Sequence, residues 1–155
     1  MNISAFTKSA LLVLFSISMI PALIAQSSNK SKGLTPGNLT FTVKTITNNS
    51  TYSPRNVFAI WIKDSADNFV VSRKVMANSR KQHLVKWKAN SNGNTVNAVT
   101  GATLQNHQTH TITWDGKNTA GVEVPDGVYQ VWVEYSSTNS ASNGNQGPSF
   151  SVNFN

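Results

Sequence analysis

Val128–Tyr135 (VYQVWVEY) is the segment of the sequence that decides the fold. Its residues alternate in character: those of odd number, from Tyr129 onward, share an apolar face, and Gln130 and Glu134 lie on the opposite face. This period of two is typical of a β-strand with two unlike faces. The turn residues Pro125–Gly127 (PDG) directly before the segment mark where the strand begins.

Further strands are predicted on both sides of this segment, each between turn-forming residues. Val57–Lys63 (VFAIWIK) is almost wholly apolar, which suits a strand at the centre of a sheet. No segment after the N-terminal one keeps a helical period, and Leu84–Trp87 is predicted as a short strand. About seven short strands joined by turns predict an all-β chain folded as a single antiparallel β-sandwich. The other predicted strands are Leu39–Lys44, Phe69–Met76, Thr109–Trp114 and Phe150–Phe154.

Residues 1–25 have the three parts of a signal peptide. Lys8 provides the positive charge, Ala10–Ile20 is an uncharged apolar run, and small residues precede a cleavage site at Ala25-Gln26. The alternative is a membrane anchor, but the apolar run is shorter than the roughly 20 residues that span a bilayer. We therefore expect export, cleavage, a periplasmic or secreted product, and no stable membrane insertion after cleavage.

The rest of the chain divides into a lead-in and one domain. Residues 26–37 are polar and contain Gly and Pro, which predicts a flexible lead-in. Residues 38–155 are predicted to form the sandwich, because two domains of ordinary size would not fit. The sequence has no cysteine, so it can form neither a disulfide nor a thiolate metal site, and it cannot be lipid-anchored through a thiol.

The positive charge is concentrated in one part of the chain. Asn68–Trp114 contains no Asp or Glu, although the whole sequence has 13 Lys and Arg against 6 Asp and Glu. Such an excess favours an anionic partner, and the alternative is a solvated face that keeps the protein soluble. No nucleic-acid-binding motif accompanies the bases, so we expect no nucleic acid partner. The bases of this stretch are Arg73, Lys74, Arg80, Lys81, Lys86 and Lys88.

One block of the sequence resembles a known domain. Trp114–Tyr129 (WDGKNTAGVEVPDGVY) is similar to the W-D-G-x-N-x-x-G-x-x-V-P-x-G-x-Y block of flagellar hook-capping Ig-like domains. The resemblance implies that residues 38–155 form an Ig-like β-sandwich, and it implies no activity. Over most of its length the chain also resembles a family of exported bacterial domains of unknown function, which shares this block and a strand like Phe58–Ile62.

A second motif carries the chemistry. Asn97–Thr103 (NAVTGAT) resembles the D-x-x-S/T-G-A-T signature on which a flavin transferase attaches FMN, with Asn97 standing where the signature has Asp. The resemblance implies that Thr103 is the acceptor, joined to the flavin through a phosphoester. The alternative is a tight turn of small residues. The predicted cofactor-binding residues are Thr103, Thr100, Gly101, Ala102 and Asn97.

Other candidate residues point to no enzyme. His107 and His110 would lie on opposite faces of a strand, and His83 stands alone, so we predict no metal site. The sequence has no G-x-S-x-G or H-E-x-x-H motif, so it gives no support for a hydrolase. Trp61 and Trp132 lie on the more polar faces of their strands, where they would form either a stacking platform or ordinary edge packing.

These patterns support two functional hypotheses. The first is an exported, non-enzymatic carrier of covalent FMN that takes part in envelope electron transfer, with a flavin transferase and an envelope redox partner as its partners. The alternative is an Ig-like binding or assembly module of the cell envelope with no cofactor. The sequence predicts no oligomeric state.

Overall fold

All the predicted strands except Leu84–Trp87 lie in two sheets in a computed structural model, which describes residues 32–47, 49–138, 145–146 and 150–154. The signal peptide predicted for residues 1–25 lies outside the described residues. The strands are β1 Leu39–Lys44, β2 Val57–Asp64, β3 Phe69–Met76, β4 Val99–Gly101, β5 Thr109–Trp114, β6 Gly127–Ser136, β7 Asn145–Gln146 and β8 Phe150–Phe154. A 3-10 helix spans Asn78–His83, and a helix α1 spans Val85–Ser91.

The chain is an all-β sandwich, as the sequence predicts. β1 and β5 form a two-stranded sheet, and the larger sheet has the order β4-β3-β2-β6-β7, with β8 also paired to β6. β4 runs parallel to β3, and the other pairs among the described strands are antiparallel. The sequence analysis missed β4 and β7, which are three and two residues long, because a strand that short has no detectable period.

The space between the two sheets holds the main core. Phe58, Ile60 and Ile62 of β2 fill it from the large sheet, and Ile112 and Trp114 of β5 fill it from the small one. These residues follow the period of two that the sequence predicts, so one face of each strand is turned inward.

The opposite face of the large sheet is covered as well, which the sequence analysis did not expect. Helix α1 and the 3-10 helix lie over it, and Trp61, Leu84 and Trp87 are fully buried beneath them. This double cover explains why β2 is buried along nearly its whole length. The Trp87 indole donates a hydrogen bond to the buried Ser72 Oγ at 2.9 Å.

The prediction of a short strand at Leu84–Trp87 is wrong, because this segment forms the beginning of α1. Leu84, Trp87 and Ser91 are buried at helical spacing, and Asn92 ends the helix in the left-handed conformation. Four residues are too few to show a helical period. The lysines Lys86 and Lys88, on either side of Trp87, imitate the alternation of a strand.

A buried carboxylate holds this helix on the sheet. Glu134 of β6 is fully buried, and it accepts hydrogen bonds from the backbone N–H groups of Lys86 at 3.1 Å and Trp87 at 2.8 Å. These two groups are in the first turn of α1, where the backbone N–H groups have no partner within the helix. Burial raises the pKa of the Glu134 carboxyl above its ordinary value, and the two N–H groups oppose that rise.

Residues 32–38, which include the end of the predicted lead-in, have no regular secondary structure but are fastened to the domain. The Thr35 backbone N–H and side-chain hydroxyl donate to the two carboxylate oxygens of Asp126, each at 2.8 Å. The Asp126 N–H in turn donates to the Gly33 carbonyl at 2.8 Å. The chain therefore enters the sandwich beside the turn that precedes β6.

Lowering the pH should destabilise the protein through His110. This ring is 1% exposed, stacks on Phe58 at 4.1 Å, and burial lowers its pKa to about 4. Because the unfolded chain binds the proton more tightly, stability is lost as the pH falls from about 6.5 to about 4, by about 3 kcal/mol in total. Urea unfolding between these pH values, compared with His110→Phe, measures the difference. An equal loss of stability in the two proteins over this pH range would contradict the role of His110. Glu134 contributes alike to both proteins, so it does not affect the comparison.

Removing the Glu134 carboxylate should loosen the helix. We expect Glu134→Ala to lower the free energy of unfolding by about 2–3 kcal/mol, because the buried Trp87 N–H and the half-buried Lys86 N–H lose their acceptor and a cavity forms. Glu123→Ala, at an exposed side chain, is the matched control and should change stability by less than about 0.5 kcal/mol. Urea unfolding monitored by tryptophan fluorescence is the measurement, and equal effects of the two substitutions would refute the role of Glu134.

Candidate functional site

The candidate site lies at one end of the large sheet, where β2 begins and β3, β4 and β6 end. The register sets Phe58 opposite Met76 and Val57 opposite Ser136, so these strand ends meet. Since β3 and β4 are parallel, the segments that follow them also emerge at this end. A cavity of about 280 Å³ opens there.

Thr103 lines this cavity beside a guanidinium group. Arg80, which follows β3, donates from Nη1 to the Thr103 hydroxyl oxygen at 3.3 Å. Paired backbone hydrogen bonds between Asn56 and Leu104, at 3.0 and 2.8 Å, hold the segment that carries Thr103 against the beginning of β2. The Thr103 side chain is half-buried, so its hydroxyl lies at the wall of an open cavity and not in the core.

Polar groups make up most of the remaining wall. Arg55 brings a second guanidinium, and among the lining residues of the described structure there is no Asp or Glu. A positively charged wall without a counter-charge favours an anionic ligand. The hydroxyl-bearing residues of the wall are Tyr52, Thr103, Ser136, Ser137 and Thr138.

Two buried polar atoms of lining residues have no hydrogen-bond partner among the described residues. They are Asn56 Oδ1, an acceptor, and His83 Nδ1. Gln82 Nε2 lies 3.3 Å from His83 Nε2. Both unpaired atoms are buried from water, so they lie behind the surface of the cavity and are not available to a ligand in it.

Asn97 lies away from the cavity and has a structural contact. Its backbone has φ of 62°, in the left-handed region that Asn tolerates well. Its amide donates to the Thr119 carbonyl at 3.3 Å, and Arg73 Nη1 donates to the Asn97 carbonyl at 3.4 Å. The Asn97 side chain therefore ties the start of the motif to the Trp114–Tyr129 block.

The middle of the motif forms the edge strand β4. Thr100 and Ala102 are exposed, while Gly101 is half-buried opposite Met76. A Cβ atom at position 101 would overlap with the Met76 Cε, so the end of the flexible Met76 side chain would have to move to admit any larger residue. Of the five predicted cofactor-binding residues, the structure brings only Thr103 to the cavity.

The segment Asn68–Trp114, which contains no Asp or Glu, contributes fewer basic residues to the cavity than its composition suggests. Among its bases only Arg80 lines the cavity, and Arg73 instead donates to the Thr113 carbonyl at 3.1 Å. The sequence analysis missed Arg55 and Tyr52, which lie in the turn before β2, and no motif marks them. Only the parallel pairing of β3 with β4, which joins distant segments, could have placed Arg80 beside Thr103.

His107 and His110 lie apart from this cavity. Desolvation lowers the pKa of both rings, and the His107 ring meets Tyr135 edge-on at 5.8 Å. Within the part of the chain that the structure describes, no three His, Asp or Glu side chains are grouped so that they could hold a metal ion.

The hypothesis that Trp61 and Trp132 form an open stacking platform is wrong. Trp61 is fully buried under α1, and the half-buried Trp132 stacks on it with ring centres 5.9 Å apart. The ammonium groups of Lys63 and Lys86 lie 5.1 and 5.5 Å from the Trp132 ring centre. The two rings are therefore packing groups, and the cation–π contacts stabilise Trp132.

The Trp114–Tyr129 block is held together by its own side chains. The Trp114 indole donates to the Lys117 carbonyl at 2.9 Å and meets the Tyr129 ring at 5.0 Å. Tyr129 Oη donates to the Pro125 carbonyl at 2.5 Å, a contact resembling the tyrosine corner of Ig domains. Asn118 Oδ1 accepts from the backbone N–H groups of Ala120 and Val122 at 2.9 and 3.1 Å, which closes the turn.

Comparison with known families agrees with this geometry. The family model of the FlgD Ig-like domain matches residues 89–139, a segment that runs from the end of α1 through β6. The chain is thus similar to an Ig-like domain over a minority of its length, which includes Asn97–Thr103. Comparisons with curated proteins and with solved structures found no match. Over the described ranges, no helix has the length and apolarity needed to cross a membrane.

Restoring the acid of the signature should weaken the fold. Asn97→Asp places a carboxylate against the Thr119 carbonyl and removes the amide donor, so we expect a loss of about 1 kcal/mol in unfolding free energy. Asn106→Asp, which adds the same charge at an exposed side chain, is the control. Urea unfolding at neutral pH compares the two variants, and an Asn97→Asp protein as stable as the control would contradict the structural role of this amide.

Proposed function

We propose that the protein is an exported, non-enzymatic carrier of FMN, attached through its phosphate to the hydroxyl oxygen of Thr103. The observation that carries this proposal is the contact of Arg80 with the Thr103 hydroxyl at the cavity wall. An acceptor hydroxyl beside a guanidinium group is suited to a phosphoester, because the guanidinium pairs with the phosphate charge.

The attachment is a phosphoryl transfer from a phosphoanhydride of FMN. Thr103 Oγ1 would be the oxygen that bonds to the flavin's phosphorus, and the second phosphate of the anhydride would leave with the electron pair of the broken P–O bond. The hydroxyl proton passes to a base of the flavin transferase. Arg80 would neutralise charge on the phosphate oxygens during the transfer and afterwards.

The residues around Thr103 fit the phosphate and the chain attached to it. Arg80 and Arg55 supply charge, and no Asp or Glu among the described lining residues opposes it. Once bound, FMN supplies the one- and two-electron redox chemistry of its ring. The protein would contribute the position and the electrostatic surroundings, and export would bring the carrier to a redox partner in the envelope.

Co-expression of the full-length chain with a flavin transferase tests this function. We expect the purified protein to fluoresce on a denaturing gel and to gain the mass of one FMN less one water, because a phosphoester survives denaturation. Thr103→Ala should abolish both signals, Thr103→Ser should retain them, and Thr100→Ala, at an exposed hydroxyl three residues away, is the matched control. A wild-type protein without an adduct, or an adduct that persists in Thr103→Ala, would refute the proposal.

A second candidate is an Ig-like binding or assembly module of the cell envelope without a cofactor. The match of residues 89–139 to the FlgD Ig-like domain favours it. This candidate predicts that co-expression gives no FMN adduct. It also predicts that a pull-down from envelope extracts recovers a specific partner, and that the Thr103→Ala protein recovers that partner equally well.

A further inference from the structure

The small sheet has an edge to which no described strand is paired. Among the described strands β1 pairs only with β5, so the side of β1 that is turned away from β5 is the edge of a two-stranded sheet. We call this side the open edge. The backbone groups at the edge of a sheet can pair with another chain, which makes an open edge a surface for association.

The hydrogen-bonding pattern shows which backbone groups of β1 point to the open edge. In an antiparallel pair, residues whose backbone groups bond each other alternate with residues whose groups point away. The Thr45 N–H donates to the Gln108 carbonyl at 3.1 Å, directly beyond the end of β1, which sets the phase of the alternation. The Thr113 carbonyl, opposite Thr40, accepts from Arg73 Nε at 3.1 Å and so points away from β1, as this phase requires. The backbone groups that face the open edge are those of Thr40, Thr42 and Lys44.

The strand β1 has none of the usual features that keep an edge from pairing. Its sequence LTFTVK contains neither Pro nor Gly, its register with β5 has no bulge, and its one charged residue is the last, Lys44. By contrast β4, at an edge of the large sheet, is three residues long. Short strands, prolines, bulges and central charges are the means by which natural edge strands avoid association. The open edge of β1 is therefore suited to accept another strand.

The backbone pattern of β1 fits a second copy of itself. Antiparallel pairing about a two-fold axis at Phe41 sets Thr40 opposite Thr42 of the second copy. Both residues present their backbone groups at the open edge, so these groups bond each other in that register. A shift by one residue would bring together groups that point to different sides, and it would also turn threonines towards apolar side chains.

The side chains of β1 agree with the same register. Leu39 lies opposite Val43 of the second copy, and both are half-buried on the inner face. The exposed threonines of the two copies adjoin on the outer face. The two Lys44 ammonium groups lie at opposite ends of the paired strands, so the pairing sets no like charges side by side.

We propose that the protein forms a symmetric dimer in which two β1 strands pair at their open edges. The dimer joins two small sheets into one sheet of four strands, in the order β5-β1-β1-β5. A sheet of two strands is marginal by itself, and most sheets have about four to six strands. This inference does not depend on the attachment of FMN to Thr103.

Sedimentation equilibrium of the protein purified from cells that express the full-length chain tests the dimer. We expect a monomer–dimer equilibrium with a Kd below about 100 μM. Thr42→Pro should raise this Kd at least about ten-fold, because the two-fold axis makes one substitution remove two hydrogen bonds at the open edge. The Thr42 N–H points away from β5, so the proline removes no bond of the small sheet.

Thr111→Pro is the matched control. Thr111 lies opposite Thr42 on β5, and its N–H points away from β1, to the other side of the sheet. It should leave the Kd within about two-fold. Thr42→Lys and Thr111→Lys repeat the comparison without a change of backbone, at two exposed side chains. Circular dichroism verifies that each variant is folded.

Hydrogen exchange measured by NMR locates the interface. On concentration from monomer to dimer, the Thr40 and Thr42 amides should exchange at least about ten-fold more slowly. The Phe41 and Val43 amides, which face β5, should be equally protected at both concentrations.

Three results would overturn the inference. A chain that is still monomeric at about 1 mM would exclude the dimer. A dimer that Thr42→Pro and Thr42→Lys leave intact, or that the substitutions at Thr111 weaken equally, would not pair through β1. A dimer in which the Thr40 and Thr42 amides exchange as fast as in the monomer would have its interface elsewhere, as would binding of a different protein at this edge in place of a second copy.

Discussion

The Glu134 carboxylate, buried near the end of β6 and hydrogen-bonded to the first turn of α1, is the interaction on which the rest of the structure depends. A helix of seven residues does not form by itself in water, because its few hydrogen bonds do not offset the free-energy cost of nucleation. Tertiary contacts must hold it, and Glu134 and Trp87 provide them. A buried carboxylate is costly without partners, so the sheet and the helix stabilise each other.

This interaction also bears on the candidate site. The chain passes from β3 through the 3-10 helix into α1, so fixing α1 to β6 fixes the segment that carries Arg80 and His83. The parallel pairing of β4 with β3 brings Thr103 to the same end of the sheet. The helices that cover one face of the large sheet therefore set the positions of Arg80 and His83 at the cavity. The pairing of β4 with β3 sets the position of Thr103.

Much of the fold follows from local pattern, and much of the site does not. The long strands β2 and β6 and the block at Trp114–Tyr129 can be predicted because alternation and turn residues are local signals. Helix α1 was missed because its lysines imitate a strand, and this error made Trp61 seem exposed. Thr103 was found from its motif, whereas Arg55 and Arg80 reach it only through tertiary contacts, which no single segment encodes.

The central claim is that Thr103 carries a phosphodiester held by Arg80, and phosphorus NMR of the flavin-loaded protein tests it most directly. A phosphate monoester titrates with a pKa of about 6, whereas a diester does not titrate near neutrality. The account predicts one protein-bound resonance whose chemical shift is constant between about pH 5 and 8 and is displaced by Arg80→Gln. A resonance that titrates in this range, or one that Arg80→Gln leaves unchanged, would contradict it.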